Sequence, residues 1–186
     1  RERIKEIDKI PWPDRDIFPM KPYLNNAISF GASSGRNMPF LASRGCPYEC
    51  TFCSNPLMYG RRYYIRSIDD AINEIKFYIE KYKITGLQLY DLTAIVKKDW
   101  IIDFCKALKE NKINLEWSLP SGTRSEALDL EVIKNLSKAN LKYLVYAPES
   151  GSEKTLKLIK KKIKLSVMEE SIGYAIKQGV SVRTNL

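Results

Sequence analysis

Residues 46 to 53 read CPYECTFC, three thiols spaced Cys46-x3-Cys50-x2-Cys53 within eight positions. Thiolates this close in sequence can converge on one metal centre, and soft sulfur selects zinc, copper(I) or iron–sulfur clusters. A closed zinc site takes four ligands, commonly cysteines alone or mixed with histidine. This chain has no histidine, and its one other cysteine, Cys105, falls on an apolar helical stripe with Trp100, Ile101, Phe104 and Leu108. That is the place of a buried structural thiol. Three ligands without a fourth make a poor zinc site and a good site for a 4Fe–4S cluster with one iron left open. Structural zinc, or a disulfide between two of the three, remain the competing readings; the disulfide leaves the third thiol unexplained.

The surrounding pattern says what positions the loop. PFLAS (39 to 43) reads as a short apolar strand running straight into the cysteines. Ser67-Ile-Asp-Asp70 resembles a capping box and opens a helix with Ile68, Ala71, Ile72, Ile75 and Ile79 on one face. ITGLQLYDL (84 to 92), INLEWSL (113 to 119), LKYLVYA (141 to 147) and GVSVRTNL (179 to 186) have strand character, and helical segments follow from near Asp129, Ser152 and Ser166. Strand and helix alternating with short connections imply a parallel sheet, either doubly wound or part of a barrel. In both, functional residues gather at the carboxyl ends of the strands, where the cysteine loop sits. Residues 1–38 show no strong period, and IPWPDRDIFPMKPY (10 to 23) carries four prolines, so this stretch is expected to be an extended connector lying on a surface.

The bulk numbers narrow the class. The chain's 186 residues, 44% hydrophobic and 28% charged, suit one globular domain. No stretch approaches the roughly 18 apolar residues of a membrane span, and no signal-peptide pattern opens the chain. Four cysteines, three of them clustered, point to a reducing cytoplasm rather than a secreted disulfide scaffold. The balance of 31 Lys+Arg against 22 Asp+Glu, formally +9, attracts nucleic acid, an anionic cofactor or an acidic redox partner. Lysines spread through KTLKLIKKKIK (154 to 164) fit solvated helix faces equally well, so charge alone identifies no partner.

Cys46-Pro-Tyr-Glu-Cys50-Thr-Phe-Cys53 resembles the signature of the radical S-adenosylmethionine (SAM) enzymes, with an aromatic before the last cysteine. FLASRGCPYECTFCSNP (40 to 56), YGRRYYIRS (59 to 67) and APESGSEKTLKLIKK (147 to 161) look like the subfamily that carries a cobalamin-binding domain ahead of its barrel. IDKIPWPDRDIFPM (7 to 20) resembles the connector between those domains. The resemblance implies a partial (β/α)6 TIM-like barrel over residues 39–186, truncated after about five strands, within a larger enzyme. It implies that Cys46, Cys50 and Cys53 bind the cluster and that SAM sits on the open iron. Phe52 would lie beside the adenine, Asp91 would stand where many members bind the methionyl amino group, and Glu149, Ser150 and Gly151 would hold ribose and methionine. Ser118 and Arg124 would be polar contacts, with Asn185 on the same rim. The chemistry implied is reductive cleavage of SAM to a 5′-deoxyadenosyl radical, for methyl transfer or cyclisation of a small-molecule substrate, with reduced flavodoxin or ferredoxin as donor. LPSGTRSEALD (119 to 129) is similar to the anaerobic cyclases of magnesium porphyrin esters. Cobalamin would belong to a domain outside this chain, since residues 1–38 are too few for it and no histidine is available to contact it. The other readings are a methylthiotransferase-like enzyme of tRNA, an iron–sulfur electron carrier, and a zinc-stabilised nucleic-acid-binding module.

Overall fold

The computed structural model describes residues 4–27 and 35–186; residues 1–3 and 28–34 of the expected connector lie outside them. Along the chain, α1 (Met20–Asn25) precedes β1 (Asn37–Phe40) and β2 (Ser43–Gly45), then α2 (Asn55–Met58), β3 (Tyr63–Ile65) and α3 (Ile68–Tyr82). Next come β4 (Gly86–Leu89), α4 (Lys98–Glu110), β5 (Glu116–Thr123) and α5 (Leu130–Lys138). The order ends with β6 (Leu141–Tyr146), α6 (Glu153–Leu158), α7 (Leu165–Lys177) and β7 (Ser181–Thr184). Strands β1, β4, β5, β6 and β7 form one sheet in that order, every neighbouring pair parallel. A doubly wound sheet reverses its order at a switch point; this one never does. The fold is therefore α/β, a partial TIM-like barrel of five strands.

Local chemistry explains the elements. Ser67 caps α3 by accepting from the Asp70 amide at 3.2 Å, Asp129 caps α5 through Val132 at 2.9 Å, and Ser152 caps α6 through Thr155 at 3.3 Å. Helix α3 turns Ala71, Ile72, Ile75 and Tyr78 inward, and α4 turns Ile101, Phe104 and Leu108 inward. Phe104 stacks on Trp100 at 5.2 Å and meets Trp117 of β5 edge-on at 5.7 Å. Cys105 is buried beside them, and desolvation pushes its thiol up to about 12, the state of an inert core residue. On the strands, Leu87 and Leu89, Trp117 and Leu119, and Leu144 and Tyr146 alternate into this core.

Two features depart from the sequence expectation. PFLAS is not one strand: β1 stops at Phe40, and Ser43 opens β2, which pairs antiparallel with β3. The proline-rich segment is not simply extended, since it contains 3-10 turns at Ile7–Lys9 and Arg15–Ile17 and the helix α1, all too short to show a period. It lies along α3: Trp12 donates to Asp70 at 2.9 Å, Asp8 accepts from the Ser67 amide at 3.1 Å, and Arg15 donates to the Pro39 carbonyl at 2.8 Å.

Under that segment Arg66, mostly buried, pairs with Glu74 and Asp70 and donates to the Leu41 carbonyl at 3.1 Å. Glu74 is 2% exposed and also accepts from the Tyr78 hydroxyl, which burial and this carboxylate push up to about 12. Glu74→Ala leaves Arg66 with Asp70 and the Leu41 carbonyl but removes its more buried carboxylate and the acceptor of the Tyr78 hydroxyl, and is expected to lower unfolding stability by about 1–3 kcal/mol. Urea unfolding followed by circular dichroism reads this, and a loss below about 1 kcal/mol would remove the pair from the account. No helix among the described residues is long and apolar enough to cross a membrane.

Candidate functional site

The hairpin of β2 and β3 encloses the cysteines. Ser43 pairs with Ile65, Arg44 with Tyr64 and Gly45 with Tyr63, so residues 46–62 form a loop closed at its base. Gly45 has φ of +83°, and a Cβ there would sit 2.2 Å from the Arg62 carbonyl oxygen, which leaves room for glycine alone. Inside the loop the buried Asn55 ties its two ends, donating to the carbonyls of Cys46 at 2.9 Å and Gly60 at 3.2 Å. The Asn55 amide reaches the Cys53 sulfur at 3.4 Å.

Residues from three later stretches hold the loop against the strand ends. After β4, Asp91 is fully buried and accepts from the Ala42 amide at 3.2 Å and from both the amide and hydroxyl of Ser43. Burial pushes its carboxyl above the usual carboxylate range against the pull of those donors. After β5, the Arg124 guanidinium stacks on the Tyr48 ring at 3.7 Å and donates to Glu126 and to the Lys162 carbonyl at 2.6 Å. After α6, the Ile159 carbonyl accepts from the Thr51 amide at 3.0 Å. Lys162 and Arg61 pair with Glu49 at 2.9 and 2.8 Å and hold its carboxyl below the ordinary range.

Between the loop and the strand ends lies a cleft of about 320 Å³. Cys46, Cys50 and Cys53 all line it with free thiols, the first two half-buried and the third exposed. Burial, and the neighbouring cysteines after it, raise the Cys46 thiol. Phe52 stands at the edge, 56% exposed, with the Lys161 ammonium 6.0 Å from its ring. Lys161 is itself buried and donates to Glu149 at 3.0 Å. Glu149 adopts φ of +67°, a left-handed conformation that disfavours any residue with a Cβ, and its amide donates to the Asn185 carbonyl at 3.2 Å. Gly122 lets β5 approach β6 here, since a Cβ would meet that of Ala147 at 2.7 Å.

Of the residues singled out from the sequence, the cleft gathers the three cysteines, Phe52, Asp91, Arg124, Glu149 and Asn185. Ser118 lies elsewhere. Strand β5 runs on to Thr123, past the expected end at residue 119, so Ser118 is buried within the strand, accepting from Gln88 at 3.5 Å, and Ser121 reaches the rim instead. Ser150 is outside the lining and accepts from the Ser152 amide at 3.1 Å, a turn-forming bond. Sequence reasoning missed Tyr48, Lys161 and Thr93, which all line the cleft; the Thr93 hydroxyl is buried and has no hydrogen-bond partner among the described residues. Tyr48 and Lys161 lie in the loop and at the end of the ESGSE-containing run; nothing in the pattern marks Thr93.

Among the described residues no three His, Cys, Asp or Glu side chains are arranged to hold a single metal ion. A polynuclear cluster gives each thiolate its own iron, so three thiols along one wall, with no histidine or fourth cysteine beside them, fit it better than they fit zinc.

A partial parallel barrel presenting three thiols at the carboxyl ends of its strands is one class of protein. The sequence profile of the Radical SAM superfamily matches residues 40–186, and the chain belongs to that family of enzymes. It is 28% identical over 97% of its length to an uncharacterized methyltransferase of Pyrococcus horikoshii, covering 37% of that protein. It is also 28% identical over 95% of its length to the cytidylyl-2-hydroxyethylphosphonate methyltransferase of Streptomyces wedmorensis, covering 33% of it. The chain thus spans about a third of the length of these relatives. In fold it matches the radical S-adenosylmethionine methyltransferase TsrM of Kitasatospora setae, solved with cobalamin and a [4Fe-4S] cluster, with a TM-score of 0.67. That match is 16% identical and covers 81% of this chain and 28% of the other.

Proposed function

We propose that this chain is the cofactor-binding core of a radical SAM methyltransferase. The observation that carries the reading is the convergence of three free thiols, the Glu149–Lys161 ion pair and Thr93 on one cleft at the strand ends. In this reading Cys46, Cys50 and Cys53 hold a 4Fe–4S cluster, and SAM lies across the mouth of β5 and β6. Together, cluster and SAM supply reductive cleavage to a 5′-deoxyadenosyl radical or, with cobalamin, a transferable methyl group. The chain's own work is orientation. Gly122 keeps β5 close against Ala147 at the rim of the cleft, and Phe52 offers a ring face to the adenine. Glu149, fixed by Lys161 and by the Asn185 carbonyl, presents its carboxylate toward ribose and methionine. Arg124 acts on the loop through Tyr48, and Asp91 through Ser43, so both position the thiols before they contact SAM. Residues 1–38 are read as the connector from a cobalamin-binding domain, supported by relatives about three times as long. The substrate is a small molecule, and the two relatives named as methyltransferases favour methyl transfer over cyclisation.

Anaerobic reconstitution with iron and sulfide tests this. The expected product holds about four irons per chain and shows an EPR spectrum that changes on adding SAM. Zinc retained in place of iron, or a cluster indifferent to SAM, would sink the reading.

A further inference from the structure

The bend that turns β1 into the cysteine hairpin is gripped at two places. Asp91, lining the cleft, takes the amides of Ala42 and Ser43. Arg66 takes the carbonyls, its guanidinium donating to Leu41 at 3.1 Å and its amide to Ala42 at 2.9 Å. Asp70 orients that guanidinium, accepting from its Nε at 2.5 Å, and its other carboxylate oxygen accepts from the Trp12 indole at 2.9 Å. An unbroken run of hydrogen bonds therefore joins the proline-rich segment to the bend just ahead of Cys46. Packing behind the bend is incomplete. A second cavity, of about 90 Å³, lies between Ile10, Trp12 and Arg15 of that segment and Leu41, Ser43 and Arg44. Packed interiors hold few voids larger than a water molecule, so directed bonds rather than close contact hold this side. Trp12 and Arg15 are only half-buried and Asp8 is exposed, and the parallel ladder uses no residue of the segment. It can part from α3 with little loss to the sheet.

We propose that the proline-rich segment is a latch on the thiol loop, with Trp12 as its positioning residue. Seated, Trp12 holds Asp70, Asp70 aims Arg66, and Arg66 fixes the carbonyls from which the hairpin departs. Released, Asp70 is free to rotate and Arg66 keeps Glu74 without its aligning partner. The bend then loosens and the three thiols lose their register while the barrel stays folded. The consequence for iron rests on the cluster reading above: a looser bend lets the cluster go sooner. Coupling of this kind is reciprocal, so an assembled cluster in turn seats Trp12 more firmly against α3.

Amide hydrogen exchange on the full-length protein, reconstituted and iron-free, tests this. Trp12→Phe keeps an aromatic ring beside Phe77 and removes only the donor. Amides of residues 42–46 and 63–66 should then exchange about threefold or more faster, the contribution of one half-buried hydrogen bond, while those of β4 and β5 stay parental. Iron should leave to a chelator faster by a similar factor. Asp70→Ala should loosen the same amides at least as much, and adding Trp12→Phe to it should change nothing further. Reconstitution should slow exchange over residues 8–16 in the parent and in neither variant. Asp16→Ala, which removes the anchor to Lys81 and Tyr82, is the control and should leave the bend unchanged. Parental exchange at the bend in both variants overturns the latch. So does equal loosening of β4 and β5, which would make Trp12 a general support of the fold. Asp16→Ala matching Trp12→Phe would make the segment a cover that acts without the relay, and overturns it too. If the parent assembles no cluster, the cluster reading fails, while exchange at the bend still decides the latch.

Discussion

Cys50→Ser is expected to abolish iron retention: after reconstitution the variant should hold well under half of the parent's roughly four irons and show no spectral response to SAM. Serine keeps the shape of the side chain but replaces a soft thiolate ligand with a hydroxyl that stays protonated near neutral pH. Nothing on the cleft can substitute, since the chain has no histidine and Cys105 is buried among the apolar side chains of α4. Because Cys50 is only half-buried, the fold itself should lose less than about 1 kcal/mol. Cys105→Ser is the matched control and should keep its iron. Parental iron content and SAM response in Cys50→Ser would refute the three-thiol site.

The second large effect belongs to Asp91→Ala. Removing this carboxylate leaves the Ala42 amide and both donors of Ser43 buried and unpaired. At about 1–3 kcal/mol for each orphaned group, the loss is about 3 kcal/mol or more, concentrated where β1 turns into the cysteine hairpin. The parallel ladder does not depend on Asp91, so circular dichroism should stay near parental. Limited proteolysis should cut between residues 46 and 62, and iron should wash out. Asp91→Asn keeps one acceptor oxygen and should fall between the two. If Asp91→Ala instead holds its full cluster and loses only affinity for SAM, the carboxylate binds the methionyl ammonium and the strut assignment is wrong.

Element types were legible because each rests on short-range chemistry. The cap at Ser67, the helix starts near Asp129 and Ser152, and the stripes of α3 and α4 stand in the structure as the sequence pattern predicts. Boundaries were less so. Two helices end without glycine: Lys83 and Lys112 take left-handed conformations usually given to it, so no residue type announced those stops, whereas Asn140 after α5 is a residue that does. Strand order was invisible to periodicity, being a property of which strands pair. At the site, the sequence singled out the thiols, Asp91 and Arg124, all of which line the cleft, but it did not show that the last two hold the loop rather than face it. Asp91, Arg124 and Tyr48 act through contacts with residues far along the chain, and Ser118 was misplaced because β5 continues through Pro120.

Those supports also set a schedule. The thiol loop meets Asp91 across 48 residues and Lys162 across 113, through bonds that exist only once β4, β5, β6 and α6 are in place. Non-local contacts form late, after the loop-closure entropy has been met. During synthesis the cysteines therefore leave the ribosome long before the framework that orders them, and they wait as free, oxidisable thiols until residue 162 has emerged. Loading of the proposed cluster would thus be a step of maturation that follows translation of this barrel, and anaerobic handling would matter most in that interval.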